Sequence, residues 1–321
     1  MVLEGKGKSL LTFPNDFCIV DIETTGLDYL HCNIIEISAL KIREHQIVDS
    51  YSTLVQPDAY YMDSSAPLFI DSYISDLTGI TNDMLLSSPK LSSVLPSFDN
   101  FVKDELLIGH NIVSFDSNFL YYAYKNNLNK LFSNDLVDTM RLSRWLLPDL
   151  KHHRLSDISE YFSLETSGMH RALQDCKLTF ECYQKLKQIA IDNYGSLDAF
   201  YSYVENRLKK SSKGLKAKDI ISTTSDFDIS NPLYGSTCVF TGVLKKMSRR
   251  DAMQLVKNLG GNVSDNITKK TNFLIIGNND FCKSITDGKS NKQKKAEKLK
   301  LDGYDIEIIS ESVFYDMANI P

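Results

Sequence analysis

The sequence predicts an α/β protein with two folded units, the first of which is built on a mixed sheet flanked by helices. Three observations indicate this. The chain has 321 residues, more than one domain usually holds. Strand-length apolar runs come first and then alternate with helical patterns, as in mixed sheets. Residues 232–321 carry 14 Lys and Arg against 10 Asp and Glu, although the whole chain has a net charge of −5, so its two parts differ in charge.

Composition excludes several classes of protein. The chain is 42% hydrophobic and 24% charged, which is ordinary for a globular protein and excludes a mainly disordered one. No apolar run approaches the roughly 18–20 residues of a membrane span, and the first residues lack the features of a secretion signal. The six cysteines form no C-x-x-C pair. We therefore expect a cytoplasmic protein with buried free thiols and no membrane partner.

The first unit is predicted over residues 15–191. Its predicted strands are the apolar runs 17–20, 34–42, 46–55, 106–109 and 136–138. Ser114 is the predicted N-cap of a helix that continues to about residue 123. Residues 171–191 are predicted as a long helix with one apolar face.

The character of the sequence changes between residues 192 and 231. Within it, residues 207–218 carry six basic residues and no acid, and a stretch rich in Ser, Thr and Asp follows. We predict a linker over 192–231 that is basic in its middle, either a solvated tether or a segment that contacts nucleic acid.

The second unit is predicted over residues 232–321. Its predicted strands are, in order, 238–240, 272–277 and 306–309. A helix capped by Ser248 and closed by Gly260 follows the first strand. A Lys-rich helix over 291–301 precedes the last strand, and a short helix follows it.

Two acids lie where the first strand ends, in the motif D-I-E-T-T-G at residues 21–26. Alternate residues of a strand project from one face, so Asp21 and Glu23 are predicted to lie side by side. Adjacent carboxylates repel each other, and a divalent cation is the natural compensation at the end of a buried strand. Thr24, Thr25 and the glycine after them offer backbone N–H groups with little bulk to a phosphate or sugar. An exposed strand end with a turn is the alternative interpretation.

Two further signals place polar side chains at the ends of elements. His110 and Asn111 follow a predicted strand, and Asp116 lies in the first turn of the next helix, where interaction with the helix dipole is an alternative explanation. His170 precedes the long helix, and Asp175 lies in its first turns. A histidine beside carboxylates that hold metal is suited to act as a general base because its pKa is near neutrality. A structural surface histidine is the alternative.

The three signals occur in the order D-x-E, H-N-x(4)-D and H-x(4)-D. Together they resemble the DnaQ-like 3′–5′ exonucleases of the DEDDh branch, which include the epsilon subunits of bacterial replicases. The resemblance covers about residues 15–190 and implies an RNase H-like sheet, two divalent ions (Mg²⁺ or Mn²⁺) and His170 as the base. The implied metal ligands, which are also counted as catalytic, are Asp21, Glu23, Asp116 and Asp175.

In such a site, two ions about 3.5–4 Å apart lower the pKa of the attacking water and stabilise the leaving 3′-oxygen. Asp21 would bridge the ions, Glu23 and Asp175 would favour the ion on the water side, and Asp116 would help on the other side. The predicted contacts to the terminal nucleotide are Thr24, Thr25, His110, Asn111 and Leu27, with Leu27 as a wedge against the base.

The resemblance implies a metal-dependent 3′–5′ exonuclease that releases nucleoside monophosphates from DNA 3′ ends in proofreading or repair. An exoribonuclease of the same superfamily and a catalytically idle DNA-binding scaffold are the alternatives. The expected partner is DNA with single-stranded or frayed 3′ ends, and a polymerase is a further candidate partner.

The second unit resembles a BRCT domain of the type found in bacterial NAD-dependent DNA ligases. The motifs F-T-G at 240–242, L-G-G-N-V at 259–263 and T-K-K-T-N-F-L-I at 268–275 carry this resemblance. It implies a parallel four-stranded sheet and a bound phosphate that belongs to DNA, which we favour, or to a phosphorylated protein. The implied phosphate ligands are Thr241, Gly242 and Lys292, with Lys295 as the alternative lysine.

Four other residues are set aside as structural. The pair His152 and His153 is interpreted as a solvated helix start rather than a metal site. Asp138 is predicted to end a strand or cap the next helix, and Trp145 is predicted to lie in the core.

Overall fold

The structure is a computed structural model that describes residues 5–57, 68–210, 216–282, 285 and 288–320. The chain divides into two compact units, Met1–Phe200 and Tyr201–Pro321. Within the described ranges, no helix combines the length and the hydropathy that crossing a bilayer requires.

The first unit is built on a five-stranded sheet. Its strands are β1 Phe17–Thr24, β2 Ile34–Arg43, β3 Gln46–Leu54, β4 Leu107–Gly109 and β5 Leu136–Asp138. Their order across the sheet is β3-β2-β1-β4-β5. The first three strands are antiparallel to one another, and β4 and β5 continue the sheet in parallel with β1. This confirms the predicted mixed, RNase H-like sheet and all five predicted strands.

Helices cover both faces of this sheet. They are α1 Ser72–Thr78, α2 Asn82–Leu86, α3 Leu91–Val102, α4 Asp116–Leu128, α5 Thr139–Leu146, α6 Leu155–Tyr161 and α7 Ala172–Tyr194. Val20 and Ile22 of β1 belong to a core cluster with side chains of α3 and α4. Phe17, on the opposite face, packs on Tyr183 of α7 with ring centroids 5.0 Å apart. The odd-numbered residues of β1 therefore face α7.

The helix predicted to start after Ser114 begins instead at Asp116, with Phe115 in the N-cap position and no side-chain cap hydrogen bond. The prediction was wrong because a turn separates strand and helix here. The N–H groups of Ser114 and Phe115 both donate to the Asn111 carbonyl, at 3.1 and 3.0 Å. Asn111 itself has a φ of +62°.

Ordered backbone lies before the predicted start of the first unit at residue 15. Leu10 N–H donates to the Leu136 carbonyl and Leu136 N–H donates to the Lys8 carbonyl, both at 2.8 Å. The Tyr183 hydroxyl donates to the Pro14 carbonyl at 2.7 Å. The N-terminal segment therefore extends the β5 edge of the sheet.

The second unit has a parallel four-stranded sheet, as the resemblance implied. Its strands are β6 Thr237–Thr241, β7 Asn262–Val263, β8 Phe273–Ile276 and β9 Glu307–Ser310, in the order β7-β6-β8-β9. Its helices are α9 Arg249–Asn258, α10 Asn291–Leu301 and α11 Glu311–Met317. Ser248 caps α9 as predicted, by accepting the Asp251 N–H at 3.2 Å.

The segment predicted as a linker contains structure where it is described. Helix α8 spans Leu197–Lys210. Ala217 N–H donates to the Asp265 carboxylate at 3.0 Å, and Ile220 is buried in the core of the second unit. Residues 211–215 of the basic run lie outside the described residues. These contacts differ from those of a solvated tether. The prediction rested on charge and on Ser and Thr content, which do not reveal a single buried apolar residue such as Ile220.

The cysteines are free thiols, as predicted, but not all are buried. Cys18, Cys176, Cys182 and Cys238 are buried. Cys32 and Cys282 are partly exposed, so the prediction of burial was wrong for these two.

Candidate active site

The acids of β1 lie in the part of the strand that extends beyond its pairing with β4. Pairing between β1 and β4 ends at Ile19 and Ile108. A side chain at Gly109 would collide with the Val20 carbonyl, since its Cβ would lie 2.9 Å from that oxygen. Asp21 and Glu23 continue the face of β1 that packs on α7, just beyond its last apolar residues. Two carboxylates therefore lie at the edge of the apolar core between β1 and α7.

Helix α7 brings a third carboxylate to the same point. Oxygen atoms of Asp21, Glu23 and Asp175 all lie within 4.8 Å of one another. Asp175 is 7% exposed, and its Oδ1 is buried without a hydrogen-bond partner. Its Oδ2 accepts the His170 N–H at 3.2 Å. The structure therefore brings these three predicted ligands together, and their role in metal binding stays a prediction.

Asp116, the first residue of α4, contacts the same end of β1. Its Oδ1 accepts the Ile22 N–H at 3.2 Å, which lies beyond the end of the pairing with β4. Asp116 is 3% exposed and lies outside the 4.8 Å group. Among the neighbouring charges, it contributes most to raising the pKa of Asp21. The charge of the fourth predicted ligand thus acts on Asp21 and Glu23.

Burial is the main cause of a raised pKa in all four carboxylic acids, because the charged form loses its hydration. The pKa of Asp21 is raised well above its usual range by burial and by Asp116. Burial and then the Asp175 charge raise the pKa of Glu23 to about 8. Burial raises the pKa of Asp116 to about 7 and that of Asp175 to about 6. Without a compensating cation, the ionised cluster is destabilised.

These residues fit a divalent metal site. The group offers hard carboxylate oxygens, which suit Mg²⁺ and Mn²⁺. The unpartnered Asp175 Oδ1 and the mutual repulsion of the carboxylates are both relieved by a cation. On this chemistry, Asp21, Glu23 and Asp175 would hold the metal, with Asp116 beside them.

Neutralising one member of the cluster is expected to stabilise the metal-free protein. At pH 8, Asp175→Asn removes a like charge, so the midpoint of thermal unfolding should rise by a few degrees (1 kcal/mol corresponds to about 2–4 °C in a domain of this size). The only tryptophan of the chain, Trp145, lies buried in α5, so its fluorescence follows the first unit. Mn²⁺ should raise the wild-type midpoint and leave the variant nearly unchanged. The exposed Asp76 gives the matched control Asp76→Asn, and a wild type that Mn²⁺ does not stabilise would contradict the fit.

The predicted base lies at the start of α7. His170 has a φ of +64° and an exposed side chain, and its backbone N–H is tied to Asp175. The structure therefore brings His170 next to one predicted ligand in the fold as well as in sequence. Its role as a base stays a prediction.

The predicted nucleotide contacts after β1 are arranged as a tight loop. Thr24 Oγ1 donates to the Gly26 carbonyl at 2.7 Å, and Thr25 Oγ1 accepts the Asn33 N–H at 2.9 Å. Leu27 is 85% exposed at the tip of this loop. Both threonine hydroxyls shape the loop, and Leu27 is left free to contact a ligand.

His110 and Asn111 are drawn toward β5 and α5. The ring nitrogens of His110 lie 3.0 Å from Thr139 Oγ1 and 2.9 Å from the His153 carbonyl, and burial lowers its pKa to about 4. Asn111 N–H donates to Asp138 Oδ1 at 3.1 Å. Both nitrogens of a neutral imidazole are thus engaged, so only the ring edge or face of His110 is left for substrate.

The residues set aside as structural have structural roles. Asp138 caps α5 by accepting the N–H groups of Met140 and Arg141, as predicted. Trp145 is 8% exposed, in agreement with a core position. His153 is buried, and its Nδ1 lies 3.0 Å from Ser143 Oγ, so the solvated interpretation was wrong for this member of the pair.

Three residues near the site were missed from the sequence. Glu36 of β2 is 2% exposed and pairs with Arg171, which precedes α7. Lys6 donates to the Val113 carbonyl at 3.2 Å, and its charge acts on Asp116. The acid within the apolar run I-I-E-I-S-A-L was a signal for Glu36. No local pattern marked Lys6.

The second unit brings its predicted phosphate residues together. Thr241 Oγ1 donates to Ser290 Oγ at 3.0 Å, and Lys292 Nζ donates to the Phe240 carbonyl at 2.9 Å. Gly242 has a φ of +84°, and a Cβ there would lie 2.6 Å from the Gly277 carbonyl. The alternative lysine, Lys295, is exposed.

Arg249 also lies beside these residues, although the sequence analysis did not include it. Its Nη2 donates to the Gly242 carbonyl at 2.7 Å. Burial and the charge of Arg249 both lower the pKa of Lys292, while Asp265 opposes this. Two cations held close together favour an anion between them.

Comparison with known proteins agrees with both units. The Exonuclease family is matched by residues 18–183, about half of the chain. The chain belongs to the exonuclease family. Residues 228–317 match the BRCA1 C Terminus (BRCT) domain.

Curated relatives of this exonuclease-family chain are named as DNA polymerase III proteins. It is 37% identical over 198 residues to the DNA polymerase III subunit epsilon of Aquifex aeolicus, covering 62% of this chain and 90% of that one. It is 35% identical over 208 residues to the PolC-type DNA polymerase III of Caldanaerobacter subterraneus subsp. tengcongensis, covering 64% of this chain and 14% of that protein. The match therefore spans only a small part of the PolC-type relative.

Two solved structures show a weaker likeness. E. coli exonuclease I in complex with a dT13 oligonucleotide is 17% identical with a TM-score of 0.48, covering 65% of this chain and 46% of that one. Exonuclease X in complex with 5′ overhanging duplex DNA is 24% identical with a TM-score of 0.42, covering 57% of this chain and 98% of that one.

Proposed function

We propose that this chain is a metal-dependent 3′–5′ exonuclease that releases nucleoside monophosphates from single-stranded or frayed DNA 3′ ends. The observation that carries the proposal is the convergence of Asp21, Glu23 and Asp175 within 4.8 Å, with one buried oxygen of Asp175 unpartnered. Membership of the exonuclease family supports the reaction class. The naming of curated relatives as DNA polymerase III components supports DNA as substrate.

The proposed roles of the residues are consistent with their positions. Two divalent ions, when bound, would supply a lowered pKa for the attacking water and charge stabilisation for the leaving 3′-oxygen. Asp21, Glu23, Asp116 and Asp175 would hold them. His170 would accept the proton of the attacking water, since its side chain is exposed and its backbone N–H donates to Asp175 of the cluster. Leu27 would pack against the terminal base.

A polymerase is the proposed partner for work in proofreading. Support comes from the epsilon subunit of Aquifex aeolicus, which is named as part of DNA polymerase III. Free-standing repair is the alternative, and so are an exoribonuclease and an idle scaffold.

The direction and the sugar preference are tested together. A DNA oligonucleotide labelled at its 5′ end should give a ladder of shortened labelled strands with Mg²⁺, whereas a 3′-labelled one should release labelled mononucleotide first. A strand whose 3′ end carries phosphorothioate linkages is the control and should resist. Mononucleotide released first from the 5′ label would overturn the polarity, and faster release from a matched RNA would favour the exoribonuclease.

We also propose that the group formed by Thr241, Gly242 and Lys292 binds a phosphate of DNA. The neighbouring cations Lys292 and Arg249 support an anion there. Helix α10, which contains Lys292, carries further lysines that are exposed. A surface with several positive charges favours a polyanion over one isolated phosphate.

Lys292→Gln is expected to weaken DNA binding and to flatten its salt dependence. Each lost phosphate contact should reduce the slope of log affinity against log salt by about 0.7–0.9. Binding is measured by fluorescence anisotropy in EDTA, so that no strand is cleaved. Lys125→Gln, at an exposed lysine in the last turn of α4 in the first unit, is the matched control. An equal slope for Lys292→Gln and wild type would contradict the DNA role and would leave a phosphorylated protein as the ligand to test.

A further inference from the structure

Two carboxylates face each other across β1 and β2. Glu23 and Glu36 are directly opposite in the antiparallel register, so their side chains project from the same face of the sheet. Glu36 is 2% exposed. Like charges in this arrangement are unfavourable, so at least one of the two carboxylates needs a compensating positive charge.

Glu36 is fully engaged by the residues that begin α7. Arg171 Nη2 donates to Oε1 at 2.9 Å, and Arg171 Nε donates to Oε2 at 3.2 Å. Ala172 N–H also donates to Oε2, at 3.1 Å. Both oxygens of Glu36 are used, in contrast to the free Oδ1 of Asp175. The fork of the guanidinium gives this pair a fixed geometry that a lysine does not reproduce.

This contact replaces a local helix cap. Arg171 occupies the N-cap position of α7 and makes no side-chain cap hydrogen bond of its own. Glu36 instead accepts the N–H of the first helical residue from a neighbouring strand, which satisfies an orphan donor of the helix start. Arg171 and Ala172, which contact Glu36, stand in the sequence between His170 and Asp175. The His170 N–H donates to the Asp175 carboxylate.

We propose that Glu36 and Arg171 form a positioning pair for the active site. The pair fixes the start of α7 against β2, so that His170 and Asp175 are held opposite Asp21 and Glu23. The guanidinium also offsets the charge of Glu36, which leaves Glu23 as the carboxylate of the facing pair that is available to a cation. The effect on catalysis rests on the proposed exonuclease function, whereas the effect on the helix start does not.

The test compares this pair with a second ion pair of the same sheet. The variants are Glu36→Gln, Arg171→Gln, Arg171→Lys and the double variant Glu36→Gln/Arg171→Gln. The double variant leaves no unpaired charge, so it keeps the test valid if a single variant folds poorly. The control is Arg43→Gln, because Arg43 at the end of β2 pairs with Glu105 away from the acidic cluster.

For Arg171→Gln we expect kcat on a 3′-labelled oligonucleotide to fall about 10–100-fold, since a displacement of about 1 Å in a catalytic group has an effect of this size. KM should stay within about threefold, because the pair acts through His170 and Asp175 and is not among the predicted nucleotide contacts. The kcat of Arg171→Lys should lie between those of Arg171→Gln and wild type. The kcat of the double variant should be no lower than that of the less active single variant, because the two residues act as a unit. Arg43→Gln should match wild type.

Amide hydrogen exchange supplies a readout that does not need activity. The segment 168–178 should exchange at least tenfold faster in Glu36→Gln and Arg171→Gln than in wild type or Arg43→Gln. Unchanged exchange in this segment, or a kcat of folded Arg171→Gln within twofold of wild type, would overturn the positioning role. If wild type itself releases no nucleotide, the proposed function fails, and the exchange result alone decides the contribution of the pair to the helix start.

Discussion

Replacing Asp21 with alanine is expected to lower nucleotide release by on the order of 10³-fold or more. Carboxylate oxygens of Asp21 lie within 4.8 Å of those of Glu23 and Asp175, and the charge of Asp116 also acts on Asp21. Metal ions contribute several kcal/mol of charge stabilisation in reactions of this class, and each 1.36 kcal/mol is a factor of ten in rate. Release of mononucleotide from a 3′-labelled single strand with Mg²⁺ measures the effect.

A second carboxylate of the same sheet provides the control. Asp49 is exposed on β3, away from the cluster, and Asp49→Ala should retain wild-type turnover. If Asp21→Ala and wild type release nucleotide equally fast, the cluster is not the site of hydrolysis.

Replacing His170 with alanine is expected to lower kcat by about 10²–10⁴-fold, the usual contribution of a general base. Binding of Mn²⁺ should be largely intact, because the carboxylates that would hold it remain in place. Single-turnover cleavage measures the first quantity, and calorimetric titration with Mn²⁺ measures the second. His152→Ala, at an exposed histidine, should leave both unchanged.

Two results would contradict the role of His170. Complete loss of Mn²⁺ binding in His170→Ala would make this residue a ligand rather than a base. Turnover equal to wild type would show that another group accepts the proton.

The local part of the site could be predicted from the sequence. The alternation of β1 places Asp21 and Glu23 on one face, and the apolar runs predict all five strands of the first sheet and three of the four strands of the second. The two-residue strand β7 has no such run and was missed. The approach of Asp175 could not be derived from spacing, because it depends on α7 packing back over β1. For that contact the order of the motifs and their resemblance to a known family were necessary.

Other features were missed because they depend on contacts between distant residues. Glu36 is an isolated acid in an apolar strand, and its meaning emerges only when Arg171 is seen to pair with it. Helix α4 begins at Asp116, later than predicted, because a turn closed by backbone hydrogen bonds to Asn111 precedes it. Ile220 joins the core of the second unit from within a segment that charge and composition predict to be a linker.

Anomalous diffraction from a crystal of the full chain soaked in MnCl₂ tests the central claim most directly. We predict two manganese peaks about 3.5–4 Å apart, surrounded by carboxylate oxygens of Asp21, Glu23, Asp116 and Asp175. A crystal whose map shows these side chains well ordered and no manganese peak among them would contradict the account.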